Sequence, residues 1–419
     1  MRRAKPVLER SEGIRQRVRV RNLLNALLIA LDVYGHAAVG VFVTNTRVIG
    51  LHESRFKVFI LLGHLAAWPL FGLAQAFRLG GFARFGRLLL APFTLGRLWA
   101  LLFTMLGLRS LLQEIARKRH PTPCPPEVLK REALDLDMRD EILKVAELTT
   151  SGPRGLVNRV NQIYALELTT HELRLASLPK EFDGFTIVQI SDVHNGQFSS
   201  SEFIRRYVEI ALDIGPDLIA LTGDYQTYSK DVEEVARLLS PLGEWSCRER
   251  GGIGALAVLG NHDREAGEAH VTDALRRAGI KVLHNDNVRI EKNGEGIYIA
   301  GVADPWSYKA DLDCALRSIP AGSCTILLAH VPDYLTTASK GITPSEVALQ
   351  LSGHNHGGQI KLPFFGPLLV SSRYGRRYAE GFHKAGSTLM YASRGLGGKP
   401  PIRWGARPEL ARFVLRSGH

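Results

Sequence analysis

The sequence is poor in sulfur and, over its first third, poor in acidic residues. Only four of the 419 residues are cysteines, and no two of them form a Cys-x-x-Cys pair. This spacing argues against a zinc–thiolate site and against a dense disulfide framework. Buried free thiols are the favoured state, with a single Cys314–Cys324 bridge left open. The cysteines are Cys124, Cys247, Cys314 and Cys324.

The shortage of acidic residues makes the charge strongly uneven. The formal net charge is +12; residues 1–120 hold 19 lysines and arginines against five acidic residues, whereas residues 121–419 hold 34 against 36. A nucleic-acid enzyme should carry its basic residues around its active face, so no nucleic-acid partner is expected. A basic N-terminal third instead suits a segment that lies in or on an anionic membrane.

Long apolar runs are confined to the same basic third. Three stretches each have close to the roughly 20 residues that a helix needs to cross a bilayer. They cover residues 22–43, 58–77 and 88–108 and are interrupted by Asp32, His36, His64 and Arg97. The favoured interpretation places these polar residues near helix ends or inside a bundle. Basic residues flank all three stretches on both sides, so their orientation is not predicted.

Three regions are predicted along the chain. Residues 1–120 form a basic leader and about three membrane-associated helices. Residues 121–160 form a proline-rich boundary and a helical connector, because proline dominates 121–126 and helix-forming residues follow. Residues 161–419 form an α/β domain, since 164–175 alternate like a strand and short apolar runs then recur with helical stretches at 201–214 and 230–239 between them.

Five of these apolar runs end in polar clusters. In open α/β sheets, ligands collect beyond the carboxyl ends of strands, so these clusters should meet at one site. A single histidine or aspartate there is more often structural, but five such fragments in order favour a functional site. In chain order the clusters contain Asp192 and His194, then Asp224, then Asn261 and His262, then His330, then His354 and His356.

This residue set suits phosphate chemistry. Imidazole, carboxylate and amide oxygen together bind manganese, iron or zinc, and a shared carboxylate can bridge two ions about 3.5–4 Å apart. Such a pair polarises phosphate oxygens and acidifies a bound water. Asp192 and His194 are two positions apart, so on an extended segment they point the same way, as do His354 and His356.

The ordered fragments Asp-x-His, Gly-Asp, Gly-Asn-His-Asp, His and Gly-His-x-His resemble those of the calcineurin-like metallophosphoesterase superfamily. The resemblance runs from about Asn161 to the C-terminus. It implies an α/β fold of four layers (αββα), in which two packed mixed sheets are flanked by helices. It also implies two divalent metal ions, with manganese expected ahead of iron or zinc.

The resemblance further implies a role for each residue. Asp192, His194 and His356 would hold the first metal, Asn261, His330 and His354 the second, and Asp224 would bridge both. His262 would lie near the leaving oxygen as a general acid or phosphate clamp. Asp263 would either orient His262 or cap a helix.

Two further motif comparisons indicate which branch of the superfamily the chain resembles. Ser/Thr protein phosphatases extend Gly-Asp into Gly-Asp-x-x-Asp-Arg-Gly, whereas this chain reads Gly223-Asp224-Tyr225-Gln226-Thr227-Tyr228, which argues against that activity. Motifs at 178–184, 352–359, 393–397 and 407–410 resemble a bacterial branch with N-terminal membrane segments. That branch includes hydrolases that split the pyrophosphate of UDP-2,3-diacylglucosamine, and it implies an inner-membrane location with the side of the catalytic domain left open.

The expected activity is hydrolysis of a phosphomonoester, phosphodiester or pyrophosphate bond in a small-molecule or lipid substrate. The apolar loop 360–370 could meet an acyl chain or tuck into the core. At most one nearby basic residue is expected to bind phosphate. The candidates are Arg373, Arg376, Arg377, Arg394 and Lys399. The alternatives are a membrane sensor or scaffold with a non-catalytic domain and a nuclease of the same superfamily.

Overall fold

The computed structural model describes most of the chain from Pro123 onward. The described residues are 112, 115, 123–138, 161–195, 201–226, 232–251, 253–307, 309–334, 336, 347–362, 366–367, 370–398 and 402–418. The chain divides into two compact units, Met1–Pro121 with Pro363–Leu369 and Thr122–Leu362 with Val370–His419. Apart from a two-residue strand at Gly366–Pro367, every element below belongs to the second unit.

Strands and helices alternate through the first half of this unit. The described strands are β1 (Val128–Asp137), β2 (Ala165–Leu175), β3 (Thr186–Ile190), β4 (Leu218–Leu221), β5 (Ala255–Ala257), β6 (Lys281–Val282), β7 (Asp286–Lys292), β8 (Glu295–Gly301), β9 (Thr325–Leu328), β10 (Leu349–Ser352), β11 (Lys361–Leu362), β12 (Gly366–Pro367), β13 (Gly381–Ala385), β14 (Thr388–Ala392) and β15 (Glu409–Ser417). The described α-helices are α1 (Ser201–Asp213), α2 (Val232–Glu249), α3 (Asn261–Arg277) and α4 (Leu312–Leu316).

Most of the strands form two mixed sheets. One has seven strands in the order β1-β2-β15-β3-β4-β5-β6, and the other has six in the order β13-β14-β10-β9-β8-β7. β3, β4 and β5 are parallel neighbours joined through α1 and α2, and β9 and β10 are parallel neighbours in the second sheet. The mixed α/β fold with two sheets is therefore confirmed. The carboxyl ends of parallel neighbours share an edge of the sheet, which brings the strand-end loops together.

Apolar side chains hold four layers in place. Ile190 of β3 packs with Phe203 and Leu239 of the covering helices, whereas Ile187 of the same strand faces the other sheet and packs with Leu328. A third cluster joins α4 to the outer face of the six-stranded sheet. The order is helices, sheet, sheet, helix, with the central core between the sheets. Each fully buried leucine or isoleucine contributes about 2 kcal/mol to this packing.

The prediction of a helical connector over 121–160 is wrong for residues 128–137. These residues form β1, which pairs antiparallel with β2 and extends the seven-stranded sheet. The rest of the connector, 139–160, lies outside the described residues. The cysteine prediction holds in part: all four are free thiols, but Cys124 and Cys247 are exposed and Cys324 is buried.

The predicted membrane segments lie outside the part of the chain that the structure describes. This applies to the basic leader and to the stretches 22–43, 58–77 and 88–108. Within the described part, no helix combines the length and the apolar character needed to span a bilayer.

Candidate metal centre

The seven predicted ligands lie in loops that follow five strands. Asp192 and His194 follow β3, Asp224 follows β4, Asn261 begins α3 after β5, His330 follows β9, and His354 and His356 follow β10. All are buried except His356, whose side chain is 14% exposed. Both sheets therefore supply donors to one polar cluster.

The first group of donors consists of Asp192, His194 and His356. Their donor atoms all lie within 4.8 Å of one another. His356 Nε2 is 3.2 Å from His194 Nε2 and 3.4 Å from Asp192 Oδ1. The Asp192 carboxylate accepts hydrogen bonds from Ser191 Oγ at 2.6 Å and from the His354 N–H at 3.0 Å, so its orientation is fixed.

The second group consists of Asp224, His330 and His354. His330 Nε2 is 3.3 Å from Asp224 Oδ2 and 3.2 Å from His354 Nδ1. The other ring nitrogen of His330 donates to the Thr222 carbonyl oxygen at 2.7 Å, so in the neutral ring Nε2 keeps the lone pair. Asn261 is also buried, and its side-chain oxygen has no hydrogen-bond partner.

Asp224 lies between the two groups. Its Oδ2 atom is 3.7 Å from His194 Nε2 in the first group and 3.3 Å from His330 Nε2 in the second. Its Oδ1 atom accepts the His262 N–H at 2.9 Å, which fixes the carboxylate plane. One carboxylate oxygen thus faces both groups.

These residues fit divalent cations. Bonds from zinc to nitrogen or oxygen are about 2.0–2.2 Å, which places the donors of one tetrahedral ion about 3.4 Å apart. The separations of 3.2 to 3.7 Å between donors here agree with that value. A cation also accounts for the buried Asn261 oxygen, because buried polar atoms rarely lack a partner.

The backbone of the ligand loops corrects one sequence-based expectation. Asp192 and His194 have φ of 52° and 49°, and His354 and His356 have φ of 70° and 50°, so neither pair lies on an extended segment. Asp224, with φ of 57°, shares this left-handed conformation. The two histidines of His354-x-His356 belong to different groups. Left-handed turns, not strand alternation, aim these donors.

Glycines permit the loops to approach one another. A Cβ atom on Gly260 would lie 2.2 Å from Asp224 Oδ1, and one on Gly353 would lie 2.2 Å from Asp192 Oδ2. Neither contact is sterically possible. Glycine at these two positions is therefore what lets the ligand loops lie this close together.

Asp263 ties two ligand loops together. Its carboxylate accepts the N–H groups of Gly260 and Asp224 on one oxygen, at 2.8 and 2.7 Å, and of Tyr225 on the other, at 2.9 Å. The sequence left open whether Asp263 orients His262 or caps a helix. The structure shows that it caps α3 and also binds the backbone of the loop after β4.

Burial and neighbouring carboxylates together set the protonation of the cluster. Burial lowers the pKa of His194 and of His354 to about 3, so both are neutral at pH 7. Burial also raises the pKa of Asp192 to about 6. For His330, burial acts to lower the pKa, but the carboxylates of Asp224 and Asp192 outweigh it and raise the pKa to about 10. A cation that binds beside Asp224 would therefore release a proton from His330.

His262 lies at the rim of the cluster. Its ring centroid is 5.1 Å from that of His194, and its side chain is 21% exposed. Its Nδ1 atom is 3.5 Å from Glu265 Oε2. The ring is thus close to the donors and reachable from solvent.

The five basic residues considered for phosphate binding differ in their surroundings. Arg394 forms ion pairs with Glu167 and Glu409, and the Arg377 guanidinium lies over the Tyr378 ring. Arg373 is exposed and Arg376 is half-buried, whereas Lys399 lies outside the described residues. The arginine that does contact a predicted ligand is Arg403, at 3.3 Å from His356 Nδ1. No motif in the sequence singles it out.

Comparison with known proteins identifies a family for the chain. The model of the calcineurin-like phosphoesterase family matches residues 185–358. The chain is 34% identical to the metallophosphoesterase YkuE of Bacillus subtilis (strain 168) over 66% of this chain and 94% of that protein. It belongs to the calcineurin-like phosphoesterases, metal-dependent hydrolases of phosphate esters. The predictions of this family and of a metallophosphoesterase activity are confirmed.

Two other relatives have more specific names. The chain is 30% identical to the phosphodiesterase YaeI of Escherichia coli (strain K12), over 59% of this chain and 88% of that protein. It is 26% identical to the UDP-2,3-diacylglucosamine pyrophosphatase LpxG of Chlamydia trachomatis (serovar D), over 59% of this chain and 91% of that protein.

Proposed function

We propose that this chain hydrolyses a phosphodiester or pyrophosphate bond at a two-metal centre. Asp192, His194 and His356 would hold the first ion, Asn261, His330 and His354 would hold the second, and Asp224 would be shared by both. The observation that carries the proposal is the position of Asp224 Oδ2, which faces His194 in one donor group and His330 in the other. A carboxylate oxygen shared in this way is what a bridged pair of ions needs.

Two divalent ions, with manganese preferred to iron or zinc, would supply Lewis acidity and acidify the attacking water. The protein residues fix and complete the site. Asp263 and the glycines hold the ligand loops close together. His262, at the solvent-reachable rim, donates a proton to the leaving oxygen.

The proposed substrate class is a nucleotide linked to a lipid by a pyrophosphate, with UDP-2,3-diacylglucosamine as the first candidate. The named activity of the Chlamydia relative supports this class. The apolar stretches of the basic N-terminal third support a substrate met at a membrane, in the bacterial inner membrane. A phosphodiester of similar size is the second candidate, because the Escherichia coli relative is named a phosphodiesterase.

The test is turnover by the purified full chain loaded with manganese, iron or zinc. The substrates are p-nitrophenyl phosphate, bis-p-nitrophenyl phosphate and UDP-2,3-diacylglucosamine. We expect the last two to be cleaved and Asp224→Asn to lower kcat/KM by at least about a hundredfold, because removing even an outer partner of a ligand costs 10- to 100-fold. Asp135→Asn, on the exposed edge strand β1, is the matched control and should retain full activity.

Three results would contradict the proposal. Absence of turnover with every metal would favour a non-catalytic sensor or scaffold. Activity that survives Asp224→Asn would rule out the shared carboxylate. Cleavage of DNA or RNA in preference to these substrates would favour a nuclease.

A further inference from the structure

Arg403 is a fully buried arginine with an unusual set of partners. Its guanidinium donates to the carbonyl oxygens of Arg394 at 2.8 Å, Gly395 at 3.2 Å and Ala406 at 3.1 Å, and to that of Gly397 through Nε at 2.8 Å. Its Nη2 atom is 3.3 Å from His356 Nδ1. Relative exposure of the residue is 0%.

No carboxylate among the described residues forms an ion pair with Arg403, in contrast to Arg394, which pairs with two. Burying a charge without an opposite charge is costly, and here burial lowers the pKa of Arg403 to about 10. An apolar side chain would fill the same space but would leave these carbonyl oxygens without a donor. The task of the guanidinium therefore follows from what these carbonyls and the His356 ring hold in place.

Three of the four carbonyls that Arg403 binds, those of Arg394, Gly395 and Gly397, belong to the segment that supports Asp192. In this segment, the Gly397 N–H donates to the Asp192 carbonyl at 2.7 Å and the Leu396 N–H to the Ser191 carbonyl at 3.0 Å. Gly395 lies so close that a Cβ atom there would be 2.6 Å from Asp192 Cβ. A shift of this segment would move Asp192.

Arg403 therefore reaches two ligands of the same proposed metal position. It contacts the His356 ring directly and supports Asp192 through residues 394–397. None of its hydrogen bonds reaches the donors of the other position, Asn261, His330 and His354. Outer partners of this kind set the orientation of metal ligands.

We propose that Arg403 is a positioning residue that selectively controls occupancy of the Asp192–His194–His356 position. The proposal rests on the two-metal centre proposed above. An arginine is required because a planar guanidinium presents five N–H donors in a fixed fork, whereas a lysine ammonium offers three from one atom. One group can thus bind several carbonyls and the imidazole at once.

The test follows metal binding, not activity. Full-length protein in detergent is stripped with a chelator and titrated with Co²⁺, with visible absorption and calorimetry as readouts. His356→Asn and His330→Asn assign each binding step to one position. We expect Arg403→Met to weaken, by about 10- to 100-fold, the step that His356→Asn removes, while the other step stays unchanged. Arg403→Lys should give a smaller loss at the same step.

Arg416→Met is the matched control, because Arg416 pairs with Glu172 and Asp183 at the far end of β15. It should bind both ions like the wild type. The rise in Tm that Co²⁺ produces should be smaller for Arg403→Met than for the wild type or for Arg416→Met. If Arg403→Met does not fold, Arg403→Lys decides by the same selective loss.

The possible failures are distinct. A wild type that binds no metal removes the two-metal centre and this proposal together. A wild type with two steps, both retained or equally weakened in the Arg403 variants, overturns only the role of Arg403. Equal lowering of Tm with and without metal would likewise make Arg403 a structural support alone.

Discussion

At the residue scale, the ligand loops accept an unfavourable backbone conformation in order to aim their donors. Eight non-glycine residues have positive φ in the described part of the chain, and five of them are predicted ligands. Each such residue costs about 1–3 kcal/mol unless its surroundings hold it in place. Asp, Asn and His tolerate this region better than most residues, so the side chains that suit metals also suit these turns.

Gly353 gives the first prediction at this scale. Gly353→Ala places a Cβ atom 1.9 Å from Ser191 Oγ and 2.2 Å from Asp192 Oδ2, so Asp192 must move. We expect at least about a tenfold loss of Mn²⁺ affinity and a free energy of unfolding lower by about 1–3 kcal/mol. Calorimetric titration with Mn²⁺ and urea unfolding measure the two effects.

Gly294→Ala provides the control. Gly294 has positive φ, at 86°, which Gly353 does not, and no atom lies within 4 Å of its Cβ position. This variant should lose about 1 kcal/mol of stability from backbone strain and keep its metal affinity. Unchanged Mn²⁺ binding in Gly353→Ala would contradict the role given to this close approach.

At the element scale, buried strands could be predicted and an exposed one could not. The five apolar runs that end in polar clusters all contain strands, namely β3, β4, β5, β9 and β10. β1 is not predicted from the sequence because eight of its ten residues are exposed and it is rich in helix formers such as Leu, Lys and Glu. Pairing with β2 overrides that local preference, since strand formation depends on neighbours more than on intrinsic propensity.

In helix α2, too, the structure departs from the local preference of the sequence. The sequence pattern predicts a helix over 230–239, and the helix continues to Glu249 although Pro241 lies inside it. Proline lacks the N–H that would bond to the Arg237 carbonyl. The Ser240 hydroxyl donates to that carbonyl at 2.9 Å instead, which removes part of the cost.

Strand β2 carries a prediction about pH. Burial lowers the pKa of His171 to about 4, and its ring packs against Phe382, Tyr391 and Phe413. The unfolded chain binds a proton near pH 6.5, whereas the folded chain binds it only near pH 4. The neutral histidine therefore contributes full stability above pH 6.5, and this contribution is lost as the pH falls towards 4.

We expect the free energy of unfolding of the metal-free wild type to fall between pH 7 and pH 4 by about 3 kcal/mol more than that of His171→Gln. Urea unfolding at several pH values measures the difference. Metal-free protein is used so that loss of bound ions does not contribute, and His270→Gln serves as the surface control. Parallel curves for the wild type and His171→Gln would contradict the prediction.

At the scale of the whole molecule, the basic charge and the metal centre lie in different parts of the chain. The excess of lysine and arginine lies within residues 1–120, and the predicted ligands lie between 192 and 356. We expect the full chain to stay in the membrane fraction after high-salt and carbonate washes and to be released by detergent, as integral helices require. Immunoblotting of the fractions measures this. Release by salt alone would instead show a peripheral basic leader.

The candidate site was more predictable than its support. Strand-end loops converge by topology, so the sequence predicts that the eight candidate residues meet at one site, and the family resemblance implies which of them bind metal. The role of Arg403 could not be predicted in this way. Its partners are mostly backbone carbonyls, and every residue type has a backbone carbonyl. The left-handed turns were equally hidden, since Asp and His occur in many conformations.

The ligands of the site come from loops of both sheets, and this has a consequence for unfolding. The His354 N–H bonds to Asp192 across 162 positions of the chain. An ion held by Asp192 and His356 would act as a reversible cross-link that closes a loop of that order, and such closure removes entropy from the unfolded chain. At a free metal concentration a hundred times the Kd, one site adds about 2.7 kcal/mol. The supply of metal would thus set how cooperatively the two sheets melt.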